Sequence, residues 1–372
     1  MNEASPSPIK GLVVLLSLVG FFGTGASAMA QRPTAGPSDP EKRSMRINEK
    51  QWIGTHNSYH IAPDPVAMAI IGLAAPGEAR SIDCTQRPLE EQLEALGMRH
   101  FELDLFHDPD GTLYRSPLCY QMATTQGANV PAFDPDQKLS QKGIKVLHSP
   151  DFDFRTHVYT LRDALSQFAR WMEKHPDDGP IFVLLELKSQ SFSPATIPLP
   201  WTAAAIEGLE NSILEVFSRD RILTPDDIRA GRPTLRDAVK GTGWPTLAES
   251  RGKIVFLLDN EGEQRSTYLA KSEILENRLL FASVPVTHPA AAWMKRNDPI
   301  GSYDEIVALV EQGFLVRTRA DSGTTESRTN NTRRRDLAIK SGAQLISTDY
   351  PEPDTRFSDY YVSQDFLQNT DH

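Results

Sequence analysis

The chain has 372 residues, 39% hydrophobic and 24% charged, which is enough apolar content to bury a large core and too much for a disordered chain. Its formal net charge of -10 at pH 7 excludes a nucleic-acid binder that works by neutralising phosphates, and broad electrostatic adhesion to anionic membranes.

The first thirty residues predict a signal peptide. Lys10 precedes an apolar run over 11–22, and small residues then lead to Ala26-Ser27-Ala28 and Ala28-Met29-Ala30, either of which suits cleavage. The run is shorter than the roughly 20 residues that span a bilayer, so the expectation is a secreted or periplasmic protein. Residues 31–45 are rich in proline and polar side chains and predict a flexible leader, with one domain over 46–372. Export makes Cys84 and Cys119 candidates for one disulfide, closing a loop around the segment that holds Glu102 and Asp104.

Eight apolar runs of strand length follow, at 51–54, 99–105, 144–147, 181–187, 253–258, 279–282, 313–317 and 343–347. Helical patterns separate them at 89–96, 161–174, 203–217, 303–312 and 332–341. In the fourth of these, Ile306, Leu309 and Val310 recur at helical spacing and Gly313 ends the helix before the next strand. Eight strand-helix units predict an α/β protein of the (β/α)8 TIM-barrel type in one domain. An open doubly wound sheet has no support from a glycine-rich dinucleotide fingerprint or phosphate loop.

The chemistry-bearing residues fall at strand ends, where such barrels carry their sites. His56 and Asn57 follow the first strand, Glu102 and Asp104 lie in the second, His148 follows the third and Glu186 ends the fourth. Residues two apart on a strand share a face, so Glu102 and Asp104 aim at one centre. Like charges in an apolar strand need a cation between them, either a metal ion or a basic side chain such as Arg99 or a barrel arginine. Three carboxylates and one amide, with no cysteine, suit calcium or magnesium rather than structural zinc. The two histidines are then free for proton transfer.

The ordered runs Gly54-Thr55-His56-Asn57-Ser58-Tyr59, Glu102-Leu103-Asp104, Val146-Leu147-His148 and Leu185-Glu186-Leu187-Lys188 resemble the calcium-dependent phosphatidylinositol-specific phospholipase C family, in its bacterial secreted branch. The likeness extends to 316–321 and 347–350. It implies a catalytic barrel that holds Ca2+ through Asn57, Glu102, Asp104 and Glu186, with His56 and His148 catalytic. It also implies cleavage of phosphatidylinositol at a membrane surface to diacylglycerol and a cyclic inositol phosphate, with no obligate protein partner. A carboxylate or His56 would take the proton of the attacking hydroxyl, and His148 would protonate the leaving oxygen.

Lys188, Arg317, Arg319 and Asp349 are expected at the mouth, holding phosphate or inositol hydroxyls, or else closing it as an internal salt-bridge network. The apolar stretch 66–73 falls in the first long loop. It reads as a lipid-inserting segment, to be tested by Ile70→Glu, or as a lid helix packed on the protein. The rival readings are a glycerophosphodiester phosphodiesterase, whose usual His-Arg-Gly start is replaced here by His56-Asn57-Ser58, and a non-catalytic inositol-lipid-binding barrel.

Overall fold

The computed structural model describes residues 44–190 and 195–367. The signal-peptide expectation over 1–30 and most of the predicted leader lie outside them. Nine strands are present among the described residues: β1 (Trp52–Thr55), β2 (His100–Phe106), β3 (Lys145–Val146), β4 (Ile181–Leu187), β5 (Ile254–Leu258), β6 (Leu280–Ala282), β7 (Trp293–Lys295), β8 (Leu315–Arg319) and β9 (Leu345–Thr348). Eight of them run parallel in the order β6-β5-β4-β2-β1-β9-β8-β7. The result is a nearly closed TIM-type barrel, with the gap between β6 and β7.

The sequence misplaces one barrel strand. Of the predicted third strand, only Lys145 and Val146 pair, and they pair antiparallel with β2 (Leu105 to Val146, Phe106 to Lys145). This is an attachment at the end of β2, outside the barrel ring. The missing ring member is β7, three residues preceded by Ala290-Ala291-Ala292, too short and too alanine-rich to show a strand pattern.

β2 and β4 are apolar along most of their length because a parallel barrel buries both faces of a strand. Their register sets Asp104 beside Glu186. The helix Leu161–Lys174 is capped by the Thr160 hydroxyl, which accepts from Asp163 N at 3.1 Å. It buries Leu161, Ala164, Leu165, Phe168 and Met172 at helical spacing, with Phe168 against Phe101 of β2 at 5.0 Å between ring centroids. On the other flank, a Cβ at Gly54 would stand 2.0 Å from the His100 carbonyl oxygen, so only glycine lets β1 lie this close to β2.

The disulfide expectation is corrected: Cys84 and Cys119 are both free and buried. Cys84 packs with the barrel core, whereas Cys119, on the helix Leu118–Thr125, packs with Ala67, Tyr120 and Phe154 in a separate cluster. That cluster supports the helix Pro65–Ala74 of the first long loop. Asp64 caps this helix by accepting from Val66 N (2.9 Å) and Ala67 N (3.3 Å), and Tyr120 donates its hydroxyl to the same carboxylate.

Candidate active site

The loop after β1 is fastened to β2 before any functional group is placed. Ser58 N donates to Glu102 O at 3.0 Å, and Glu102 N returns a bond to Ser58 Oγ at 2.8 Å. Between them Asn57 adopts a left-handed backbone (φ 43°), a conformation asparagine tolerates better than most residues. The turn brings His56 and Asn57 to the wall of a cavity of about 230 Å³ that His60, His148, Arg319 and Asp349 also line.

Each of the two predicted catalytic histidines is held through Nδ1 by a buried aspartate. His56 Nδ1 lies 2.7 Å from Asp349 Oδ1, and His148 Nδ1 lies 2.7 Å from Asp153 Oδ2. A carboxylate only accepts, so both Nδ1 atoms carry hydrogen. Arg319 Nη1, a donor only, approaches His56 Nε2 at 3.2 Å, leaving that nitrogen with its lone pair. Burial opposes the Asp349 charge, but His56 and Arg319 outweigh it and bring its pKa down to about 2.

Burial likewise pulls the His148 imidazolium down. The hydrogen bond and charge of Asp153, with the Asp104 charge added, prevail and raise it above its usual value. Asp153 also meets His60 Nε2 at 2.8 Å, while His60 Nδ1 lies 2.9 Å from the Cys84 carbonyl oxygen. Both His60 nitrogens therefore face acceptors, an arrangement satisfied when both carry hydrogen. Behind Asp349, Asp321 accepts its backbone N–H at 2.7 Å and a hydroxyl from Thr348. Burial and the neighbouring Asp349 charge push Asp321 up to about 7.

Glu102, Asp104 and Glu186 converge so that one carboxylate oxygen from each lies within 4.8 Å of the others. Neither Asp104 oxygen receives a hydrogen bond of good geometry, although Lys188 Nζ stands 3.1 Å from Oδ2 and 3.0 Å from Glu186 Oε1. Burial raises Asp104 above the usual carboxylate value; Lys188 opposes this and Glu186 adds to it. The carboxylate cluster is thus short of positive charge. With hard oxygen donors only, it fits calcium, and Asn57 is the amide nearest in sequence to His56.

The four expected mouth residues divide. Arg319 and Asp349 line the cavity and pair with each other at 3.0 Å. Lys188 bridges Asp104 and Glu186. Arg317 follows the salt-bridge alternative: it is 1% exposed, and its guanidinium is held by Glu102 (2.5 Å), Ser347 (2.8 Å) and Asn297. It sits one strand step below Arg319, inside the barrel. Arg99, a suggested partner for the strand acids, pairs instead with Asp178 at 3.2 Å. Sequence reasoning missed Asp153. Its only signal was the alternating Asp151-Phe152-Asp153-Phe154, directly after a histidine already in view.

Two anchored imidazoles beside a cluster of hard oxygen ligands, at one mouth of a parallel barrel, equip a metal-assisted phosphodiesterase. Comparison with known proteins narrows that class. The family model described as phosphoinositide phospholipase C, Ca2+-dependent, matches residues 45–370, and the chain belongs to that family. It is accordingly a phospholipase C that cleaves phosphatidylinositol and uses calcium.

Among solved structures, the fold is similar to a calcium-dependent phosphoinositol-specific phospholipase C from a Gram-negative bacterium, Pseudomonas sp., in an apo crystal form. The identity is 16%, coverage is 87% of this chain and 95% of that chain, and the TM-score is 0.50. The same Pseudomonas protein in its myo-inositol complex is 17% identical, with 87% and 95% coverage and a TM-score of 0.50. No curated protein sequence matches.

Proposed function

We propose that the reaction is an intramolecular attack by the inositol hydroxyl next to the phosphate, with His56 as base and His148 as acid. The hydroxyl gives its proton to His56 Nε2 as its oxygen bonds to phosphorus. The bond from phosphorus to the glycerol oxygen breaks, and that oxygen takes the proton of His148 Nε2. The products are diacylglycerol and a cyclic inositol phosphate, which water can open later with the two histidines exchanging roles. When bound, calcium supplies Lewis-acid stabilisation of phosphate charge, and Asn57, Glu102, Asp104 and Glu186 would hold it.

Lys188 and Arg319 carry the positive charge that faces the phosphate. Asp349 acts through His56, fixing which nitrogen is the base. The observation that carries this reading is that both histidines line one cavity, each with Nδ1 tied to a buried carboxylate.

The net charge of -10 favours plain phosphatidylinositol over its more phosphorylated forms. Export of the protein is supported by Lys10, the apolar run and the small-residue cleavage triplets. Contact with a lipid surface is supported by the helix Pro65–Ala74, which buries Ala67 and Ile71 and leaves Leu73 90% exposed. Among the described residues no helix is long and apolar enough to cross a membrane.

The test is phosphorus NMR of phosphatidylinositol vesicles with the protein, first with calcium and then with chelator. A cyclic phosphate signal that disappears with chelator is expected. Turnover that persists in chelator would remove the metal from the mechanism, and a linear phosphate as first product would remove the intramolecular attack.

A further inference from the structure

A second cavity, of about 210 Å³, adjoins the first, and His148, Glu78 and Ile82 line both. The first is walled by polar and charged groups, among them His56, Arg319 and Asp349. The second is walled by Ile70, Ile71, Ala75 and Phe152. The polarity of the surface therefore changes at His148. Its Nδ1 is committed to Asp153, so Nε2 is the end that can deliver a proton to a substrate.

The substrate changes polarity at the same bond. On one side of the scissile oxygen is phosphoinositol, and on the other a glycerol esterified with fatty acids. Resting on the reading above, we propose that the apolar cavity is a subsite for the leaving group, receiving the glycerol backbone and the ester-proximal carbons of the acyl chains. Its size, about 210 Å³, suits this part of the lipid.

The cavity wall is not a loose flap. Ile70 and Phe152 pack on the cluster of Ala67, Cys119, Tyr120 and Phe154, and Tyr120 holds the helix start through Asp64. A fixed apolar wall beside the proton donor would orient the glycerol oxygen toward His148 Nε2. The subsite would favour substrates with ester-bearing leaving groups even when they are dissolved singly, with no membrane present.

The test compares two soluble substrates below any aggregation threshold, dihexanoyl phosphatidylinositol and the methyl ester of inositol phosphate, with calcium present. Ala75→Phe, which fills the cavity, is expected to lower the ratio of kcat/KM for the dihexanoyl lipid to that for the methyl ester by about ten- to a hundredfold. An unchanged ratio would overturn the subsite while leaving the phospholipase reading intact. Turnover of neither substrate by the unaltered protein would overturn that reading and the subsite with it. A second measurement needs no variant: dihexanoylglycerol should inhibit methyl-ester cleavage competitively, and absence of inhibition up to its solubility limit counts against the subsite.

Discussion

His60 and His148 share one carboxylate, and the consequence is a shift in the proton affinity of the proposed acid. Asp153 contacts His148 at 2.7 Å and His60 at 2.8 Å, and the two imidazole rings meet edge to face at 6.0 Å. Because His148 titrates above its usual 6.5, its acid form persists to higher pH, so the basic limb of kcat should lie above 6.5. The same shift adds folding stability that is fully present below the unfolded value and lost as pH rises through the folded one. Asp153→Asn removes the cause and leaves burial, so the limb should move to lower pH. His60→Gln leaves Asp153 with His148 as its one imidazole partner, so the limb should move up. A pH-rate profile in which both variants move the same way would take Asp153 out of this role.

Arg317 makes a comparable argument for Glu102. The pair is buried, with its closest approach at 2.5 Å, and breaking a buried pair by removing one partner costs about 3–5 kcal/mol. Arg317→Met should therefore unfold at lower temperature in chelator. Calcium bound at Glu102 would replace the missing charge, so the deficit in Tm should shrink when calcium is added. An equal deficit with and without calcium would mean that Glu102 does not meet the ion.

At the scale of elements, the helix Pro65–Ala74 shows which residue should probe the membrane. Ile70, the position the sequence suggested, packs beside Phe152 and lines the cavity next to His148, so its replacement would disturb catalysis as well as docking. Leu73 points outward. Burying a leucine in lipid contributes about 1.5–3 kcal/mol, so Leu73→Glu should lower turnover of vesicles by at least about tenfold while sparing a soluble inositol phosphodiester. Equal losses on both would place Leu73 outside any lipid contact.

Elements with long apolar runs were legible in the sequence. β2 and β4 are seven residues each, and Glu102, Asp104 and Glu186 stood out against their apolar runs, with a metal ion or a basic side chain left open as their partner. β7 is three residues long and follows an alanine run, so its pairing with β8 comes from tertiary packing and leaves no periodicity to read. The run 144–147 had the opposite fault: it is apolar because it covers the end of β2, not because it joins the ring. Arg317 and Arg319 have the same parity on β8, so alternation could not tell the buried one from the one at the mouth. Asp153 lies in an irregular loop, where no spacing rule links it to His60, 93 residues earlier in the chain.

For the molecule as a whole, strand order explains why the site is one-sided. His56, Asn57, Glu102, Asp104, Glu186, Arg319 and Asp349 come from β4, β2, β1, β9 and β8 or the loops directly after them, which are contiguous in the ring. The opposite side contains the gap, which side chains bridge where backbone ladders do not. Lys295 N donates to Ser283 Oγ at 3.1 Å, and Lys295 Nζ donates to Asp259 O at 2.6 Å and Oδ2 at 2.9 Å. Asp259 Oδ1 is buried with no hydrogen-bond partner, so this carboxylate depends on the lysine. Lys295→Met keeps the stem and removes the charge, which should cost about 3 kcal/mol in urea unfolding and speed amide exchange in β6 and β7 relative to β2 and β4. Adding Asp259→Leu removes the stranded carboxylate, so the double variant should recover part of the loss, a coupling read directly from the double-mutant cycle. Strict additivity of the two changes would mean that the barrel closes by packing of Trp293 and its neighbours alone.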